Sequence, residues 1–159
     1  MIGLEIRPSI DADIDAMCRI ESECFSDPWS RESIIGAVDA DASLCYTALS
    51  DGNVIGYAFI YVVADESEVL NIAVSPSHRR RGVGSALMKM ILSEAERIGA
   101  ATSYLEVRES NTAAKELYEE LGFTALGKRK NYYRYPTEDA VLMAKVLRVE
   151  GVDDDNFSN

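Results

Sequence analysis

Six residues, Arg79-Arg80-Arg81-Gly82-Val83-Gly84, have the types and spacing in this 159-residue chain that point most directly to chemistry. They follow a stretch that reads as a strand ending at Val74-Ser75-Pro76 and precede an amphipathic helix beginning near Val83. Backbone N–H groups at a helix start converge at its positive end and bind anions there. Glycines permit a tight turn and close approach, and the arginines add positive charge. The same residues could simply shape a helix start while the arginines face water. Neither Gly-x-Gly-x-x-Gly with a later carboxylate nor Gly-x-x-x-x-Gly-Lys-Ser/Thr occurs. A diphosphate without bound magnesium, such as the pyrophosphate of coenzyme A, fits the turn better than a dinucleotide or a nucleoside triphosphate.

Two further side chains could move protons. Glu106 alternates with Leu105 and Val107 in an extended stretch, so its carboxylate shares a face with Tyr104 and Arg108. It reads equally as a solvated group, a partner of Arg108 or a base. Tyr118 lies four residues after Ala114 on a short helical pattern, where a core tyrosine with a satisfied hydroxyl is the ordinary role. Asn111 at the start of that pattern reads as an N-cap. His78, the sole histidine, is expected to face solvent beside the arginine turn rather than act as a base. Cys18, Cys24 and Cys45 have neither disulfide nor zinc spacing and read as small packing residues; no metal is expected.

The length and 47% hydrophobic content suit one domain with a sizeable core. A formal charge of -11 argues against a nucleic-acid partner and is compatible with a cationic amine or basic peptide. No apolar run approaches the roughly 20 residues that span a bilayer, and the start lacks a leader pattern, so a soluble cytoplasmic protein is expected, with a monomer slightly favoured. Residues 1–148 read as the domain, and 149–159, with Asp153-Asp154-Asp155, as an acidic flexible tail.

The elements that must position these residues follow from periodicity. Leu4 to Arg7 alternates as a strand, and a helix capped by Asp11 carries Ile14, Met17, Cys18 and Ile20 inward. Phe25 to Ser30 interrupts it, and Ser30 caps a second helix with Ile34, Ile35 and Val38 on its apolar face. Leu44–Leu49 and Val54–Val63 form a hairpin about Asp51-Gly52-Asn53. Asp65-Glu66-Ser67 separates it from a strand over Glu68–Val74. A long helix places Val83, Leu87, Ile91, Ala95 and Ile98 on one stripe and stops at Gly99. A strand over Ala101–Arg108, a helix over Asn111–Leu121, an extended start at Phe123–Leu126, a basic tyrosine-rich connection over Lys128–Pro136 and a last strand over Val141–Leu147 complete the chain. An antiparallel first half joined to strand-helix-strand-helix-strand predicts an α/β fold: a mixed sheet with helices on both faces.

Arg79-x-x-Gly82-x-Gly84 resembles the coenzyme A motif of the GNAT superfamily of N-acetyltransferases, and the likeness covers residues 4–148. Asn71 to Val74, Tyr104 to Arg108, Ser110-Asn111, Leu117 to Phe123 and Arg129 to Tyr133 look like the RimI branch, which acetylates protein N-termini, in bacteria notably an alanine of a small-subunit ribosomal protein. The resemblance implies a centrally splayed sheet and acetyl-coenzyme A as cosubstrate. The pantetheine arm would lie along Ile72, Ala73 and Val74, and the pyrophosphate would sit on Arg79, Arg80, Arg81, Gly82, Val83 and Gly84. It further implies Asn111 as a coenzyme contact, Glu106 as general base and Tyr118 as acid toward the thiolate. Phe25, Trp29, Tyr132, Tyr133 and Tyr135 could wall a peptide-sized groove or equally cover the core. Arg134 and Tyr135, placed before Pro136, depart from the bacterial pattern, in which the tyrosine pair runs straight into the proline, so a ribosomal-protein specialist and an enzyme acetylating many N-termini both stay open; a lysine or small-amine acetyltransferase and, after it, a non-catalytic acetyl-coenzyme A-binding domain are the alternatives.

Overall fold

The computed structural model describes residues 3–148. The acidic segment 149–159, expected as a tail, lies outside the described residues. Seven strands, β1 (Leu4–Pro8), β2 (Ser43–Ser50), β3 (Asn53–Val63), β4 (Glu66–Val74), β5 (Thr102–Arg108), β6 (Thr124–Tyr133) and β7 (Glu138–Val146), form one sheet in the order β1-β2-β3-β4-β5-β7-β6. Only β4 and β5 run parallel; every other neighbouring pair is antiparallel. The parallel step needs a crossover, which α3 (Val83–Arg97) supplies.

Helices cover both faces because the central strand has no solvent side. Residues 55–60 of β3 are all buried, so they read as a continuous apolar run rather than an alternation. One core gathers Val83, Leu87, Met88, Ile91 and Ala95 of α3 with Tyr118 of α4 (Thr112–Glu120) and the sheet residues Ile60, Leu105 and Met143. The opposite core joins Ile14, Met17 and Ile20 of α1 (Ile14–Cys24) and Ile34 of α2 (Arg31–Asp39) to Tyr57 and Phe59.

Several local expectations are corrected. The helical start is a 3-10 turn over Asp11–Asp13, and the capping carboxylate is that of Asp13, whose Oδ2 accepts from the Ile10 N–H at 2.9 Å. Ser30 does cap α2, its Oγ accepting from the Ser33 N–H at 3.1 Å, but Ile35 and Ile98 lie exposed rather than on the buried stripes. The strand β4 begins at Glu66. The connection expected over Lys128–Pro136 is largely strand: β6 continues to Tyr133. Its residues 124–132 are exposed on both faces at the sheet edge, so no apolar alternation marks them.

The functionally important irregularity is where β4 leaves β5. Their pairing covers only Glu66↔Thr102, Ser67↔Ser103 and Glu68↔Tyr104, then stops. On the other side β4 stays paired with β3, but its register skips Leu70, a bulge between Phe59↔Asn71 and Ile60↔Val69. A bulge bends and twists its strand. Ile72, Ala73 and Val74 thus diverge from Leu105, Glu106 and Val107, and β4 presents unpaired backbone to the gap.

Candidate active site

The gap opens into a cleft of about 1490 Å³. Ile72, Ala73 and Val74 line it from β4, Glu106 from β5, and Asn111 and Tyr118 from α4, together with Arg79, Arg80, Gly82, Val83 and Gly84. The structure therefore brings together every residue expected to catalyse or to contact the coenzyme except Arg81, which is exposed and does not line the cleft.

Gly82 holds φ 79°, the left-handed region, and a Cβ there would meet nothing within 4 Å. The conformation rather than crowding selects glycine. It leads directly into α3, whose first-turn N–H groups have no intrahelical acceptors and face the cleft mouth. A Cβ on Gly84 would lie 3.4 Å from Leu117 Cδ2 and 3.9 Å from Val74 Cγ2. An open, concave, positively flanked backbone of this kind fits a pyrophosphate. Arg79 does not simply face water: its Nε donates to the Val74 carbonyl at 3.3 Å and its Nη2 approaches Cys24 Sγ at 3.2 Å. Burial pushes the Cys24 thiol up despite that guanidinium. His78 is half-buried in the cleft wall, with Nδ1 3.1 Å from Ser77 Oγ, rather than fully solvent-facing.

Glu106 is not the partner of Arg108. Its side chain, 13% exposed, pairs with Arg129 Nε of β6 at 3.1 Å. Glu68, opposite Tyr104 at the last position where β4 pairs with β5, titrates above the ordinary carboxylate range through burial and then through the neighbouring Glu106. Arg108 instead organises the β6–β7 turn: Nη1 donates to the Pro136 carbonyl at 3.0 Å and to Glu138 Oε2 at 3.1 Å, while Nη2 donates to the Arg134 carbonyl at 2.7 Å. Its guanidinium also stacks 4.6 Å from the centre of the Tyr133 ring.

Tyr118 is 7% exposed and packs edge-on against Phe123, with ring centres 6.0 Å apart. Burial alone pushes its hydroxyl up to about 12, which keeps it protonated and able to donate. It is thus both a core tyrosine and a cleft residue. Asn111 is the N-cap of α4, its Oδ1 accepting from the Ala114 N–H at 3.1 Å.

The outer wall comes from Phe25, Trp29, Tyr132, Tyr133 and Arg134. Tyr135, expected among them, points away at 67% exposure and does not line the cleft. A register shift between Arg129 and Tyr133, with Asn131 at φ 52° donating its N–H to Asp139 Oδ1 at 2.9 Å, turns the tyrosine pair toward the cleft. Glu21 was missed by sequence reasoning. It sits four residues after Met17 on the buried stripe of α1, a place where a carboxylate demands partners, and this spacing was the available signal. Among the described residues no group of three or more His, Cys, Asp or Glu could hold a metal, and no helix is long and apolar enough to cross a membrane.

This opened sheet with a glycine turn at its mouth defines a GNAT acetyltransferase: residues 14–123 match the Acetyltransferase (GNAT) family, and the chain belongs to it. Within that family its likeness is to the RimI type. It is 40% identical over 136 residues, 83% of this chain and 90% of the relative, to the ribosomal protein bS18-alanine N-acetyltransferase of Escherichia coli strain K12. The crystal structure of the ribosomal-protein-S18-alanine N-acetyltransferase from Escherichia coli matches with a TM-score of 0.88 at 35% identity, covering 95% of this chain and 98% of that one. Ard1 from Thermoplasma volcanium matches at 0.85 and 26% identity, covering 93% and 100%.

Proposed function

We propose that residues 1–148 form one catalytic domain that transfers the acetyl group of acetyl-coenzyme A to the α-amine of a protein N-terminus, the relatives suggesting a ribosomal-protein alanine. The observation that carries this reading is that Glu106 and Tyr118, from different elements, meet in one cleft whose other side is the unpaired edge of β4. Acetyl-coenzyme A supplies the activated acyl group. The β4 backbone at Ile72–Val74 offers donors and acceptors to an amide-containing pantetheine arm, as a sheet edge does to a peptide. The first turn of α3, with Gly82, Gly84 and the flanking Arg80, receives the pyrophosphate.

The acceptor amine must be neutral to attack. Glu106 takes its proton, directly or through water, and Tyr118 donates to the departing thiolate sulfur. The aromatic walls at Phe25, Trp29, Tyr132 and Tyr133 bracket an extended peptide, and the cleft volume exceeds the roughly 300–1,000 Å³ of a single small-molecule site, leaving room for cosubstrate and peptide together.

Single-turnover transfer to an alanine-starting peptide, with acetyl-coenzyme A saturating, tests the assignment. Tyr118→Phe keeps the ring against Phe123, so its fold should persist while the chemical step slows by about 10²- to 10⁴-fold. Glu106→Gln should also slow transfer, and its deficit should shrink as rising pH delivers more neutral amine. Rates within about twofold of wild type for both folded variants would remove these residues from the mechanism.

A further inference from the structure

Glu21 is the most deeply buried carboxylate near the cleft that the reaction above does not use, at 1% exposure. Both of its oxygens accept. Oε1 takes the Trp29 N–H at 3.0 Å; Oε2 takes the Asn71 side-chain N–H at 2.8 Å and the Tyr57 hydroxyl. Three separate pieces of chain thus converge on one side chain: the loop between α1 and α2, strand β4 just before Ile72, and the central strand β3. The two strands hold their places without it, because Tyr57↔Ala73, Ala58↔Ile72 and Gly56↔Val74 are paired through the backbone. The loop does not. Residues 25–30 belong to no helix or strand, and inside the cleft the Trp29 amide is tied down by Glu21, with the Trp29 ring resting 5.7 Å from the Phe59 ring centre.

Resting on the acetyltransferase reading, we propose that Glu21 is a positioning residue for the acceptor peptide: from beneath the cleft it fixes the Phe25–Trp29 wall at a set distance from β4, and so determines how tightly a peptide is gripped. Although it borders the cleft, at 1% exposure it has almost no surface to offer a substrate and acts through Trp29. A buried carboxylate with three donors costs much to disturb, because any donor left without an acceptor carries its full desolvation penalty. An amide at this position cannot satisfy all three. With its oxygen kept on the Tyr57 hydroxyl, the Gln NH₂ meets the Trp29 N–H, donor against donor; turned over, it serves Trp29 only if the Asn71 amide also turns its oxygen inward and the buried Tyr57 hydroxyl gives up its acceptor.

Restoring the lost acceptor should restore the wall. In Glu21→Gln, the KM for an alanine-starting peptide should rise about tenfold, the loss of one hydrogen bond to a buried charged group. The kcat at saturating peptide and the acetyl-coenzyme A affinity should stay within about twofold, since β4 keeps its own pairing. Adding Asn71→Asp reverses one bond: the Gln NH₂ now donates to the carboxylate introduced on β4, and its oxygen remains for the Trp29 amide. The double variant should recover most of the peptide KM.

Trp29 is the sole tryptophan of the chain, so its fluorescence reads the loop without reference to turnover. Acrylamide should quench it more readily in Glu21→Gln and as in wild type in the double variant. Should Glu21→Gln not fold, Glu21→Asp gives the same readouts, because it keeps a carboxylate for Tyr57 and Asn71 while shortening the reach to Trp29. An unchanged peptide KM in the folded single variant, or failure of the double variant to restore both KM and quenching, would overturn the proposal. Failure of the parent reading looks different: wild type itself would acetylate no α-amine, whatever the state of Trp29.

Discussion

Adding one methyl group at Gly56 tests whether the β4 edge is held where the cleft needs it. A Cβ at Gly56 would sit 2.8 Å from the Ala73 carbonyl oxygen, 3.3 Å from Leu87 Cδ1 and 3.5 Å from Val74 Cα. The first distance is shorter than such contacts allow, and its partner is backbone, so it cannot rotate out of the way. In Gly56→Ala, β3 and β4 must part by several tenths of an ångström at the residues proposed to bind pantetheine. Overpacking of this kind costs about 1–3 kcal/mol. Replacing glycine in a strand returns roughly 0.5–1 kcal/mol. The net loss is then about 0–2.5 kcal/mol, near 1 kcal/mol at the middle of both ranges, which for a domain of this size lowers Tm by about 2–4 °C. Gly36, in α2 with nothing within 4 Å of its added Cβ, is the matched control, and Gly36→Ala should raise Tm. Thermal melts and calorimetric titration with coenzyme A on both variants make the comparison. A Gly56→Ala protein as stable as wild type, with unchanged coenzyme affinity, would refute the reasoning, because it would mean the Ala73 carbonyl is neither crowded nor fixed.

At Gly84 an alanine Cβ meets only side-chain methyls of Leu117 and Val74, so Gly84→Ala should keep near-normal coenzyme A affinity, whereas Gly84→Asp, adding bulk and negative charge at the turn, should weaken it by about tenfold or more with little change in Tm; calorimetry giving equal affinities for the two would contradict this. Burial works to raise the Asp13 carboxyl, but hydrogen bonds from Arg7, the Ile10 amide and Thr47 outweigh it and hold the group below the usual carboxylate range. Its stabilisation is therefore present above the ordinary carboxylate pKa and lost as pH falls through the lowered one. Asp13→Asn should cost about 2 kcal/mol at pH 7, with the deficit closing in acid; a deficit independent of pH in melts from pH 7 to pH 3 would show that the charge of Asp13 is not what matters.

The sequence made the hydrophobic periods, the glycine turn and the family motif legible, and these place nearly the whole proposed coenzyme side of the cleft. Its limits follow from where information is local. Glu106 shares a strand face with Arg108, yet the pairing is decided by β6 and by the β6–β7 turn, which bring Arg129 to Glu106 and draw Arg108 away to Glu138. No alternation marks β6, because an edge strand exposed on both faces has no apolar side to display. Tyr118 was ambiguous between core and site because it is both: its ring completes the apolar face of α4 while the residue lines the cleft. Gly56 reads as an ordinary strand glycine until the Ala73 carbonyl is seen against it, and Glu21 reads as one acidic residue among many in a chain of charge -11.

The nitrogen that carries the acetyl group after reaction distinguishes an α-amine acceptor from a lysine. Wild-type protein is incubated with acetyl-coenzyme A and an alanine-starting peptide that also carries an internal lysine, and fragment masses assign the modified nitrogen. We expect the acetyl group on the α-amine, with the lysine untouched and no product from the same peptide already blocked at its N-terminus. Acetylation confined to the lysine side chain, or equal modification of the blocked and free peptides, would contradict the account.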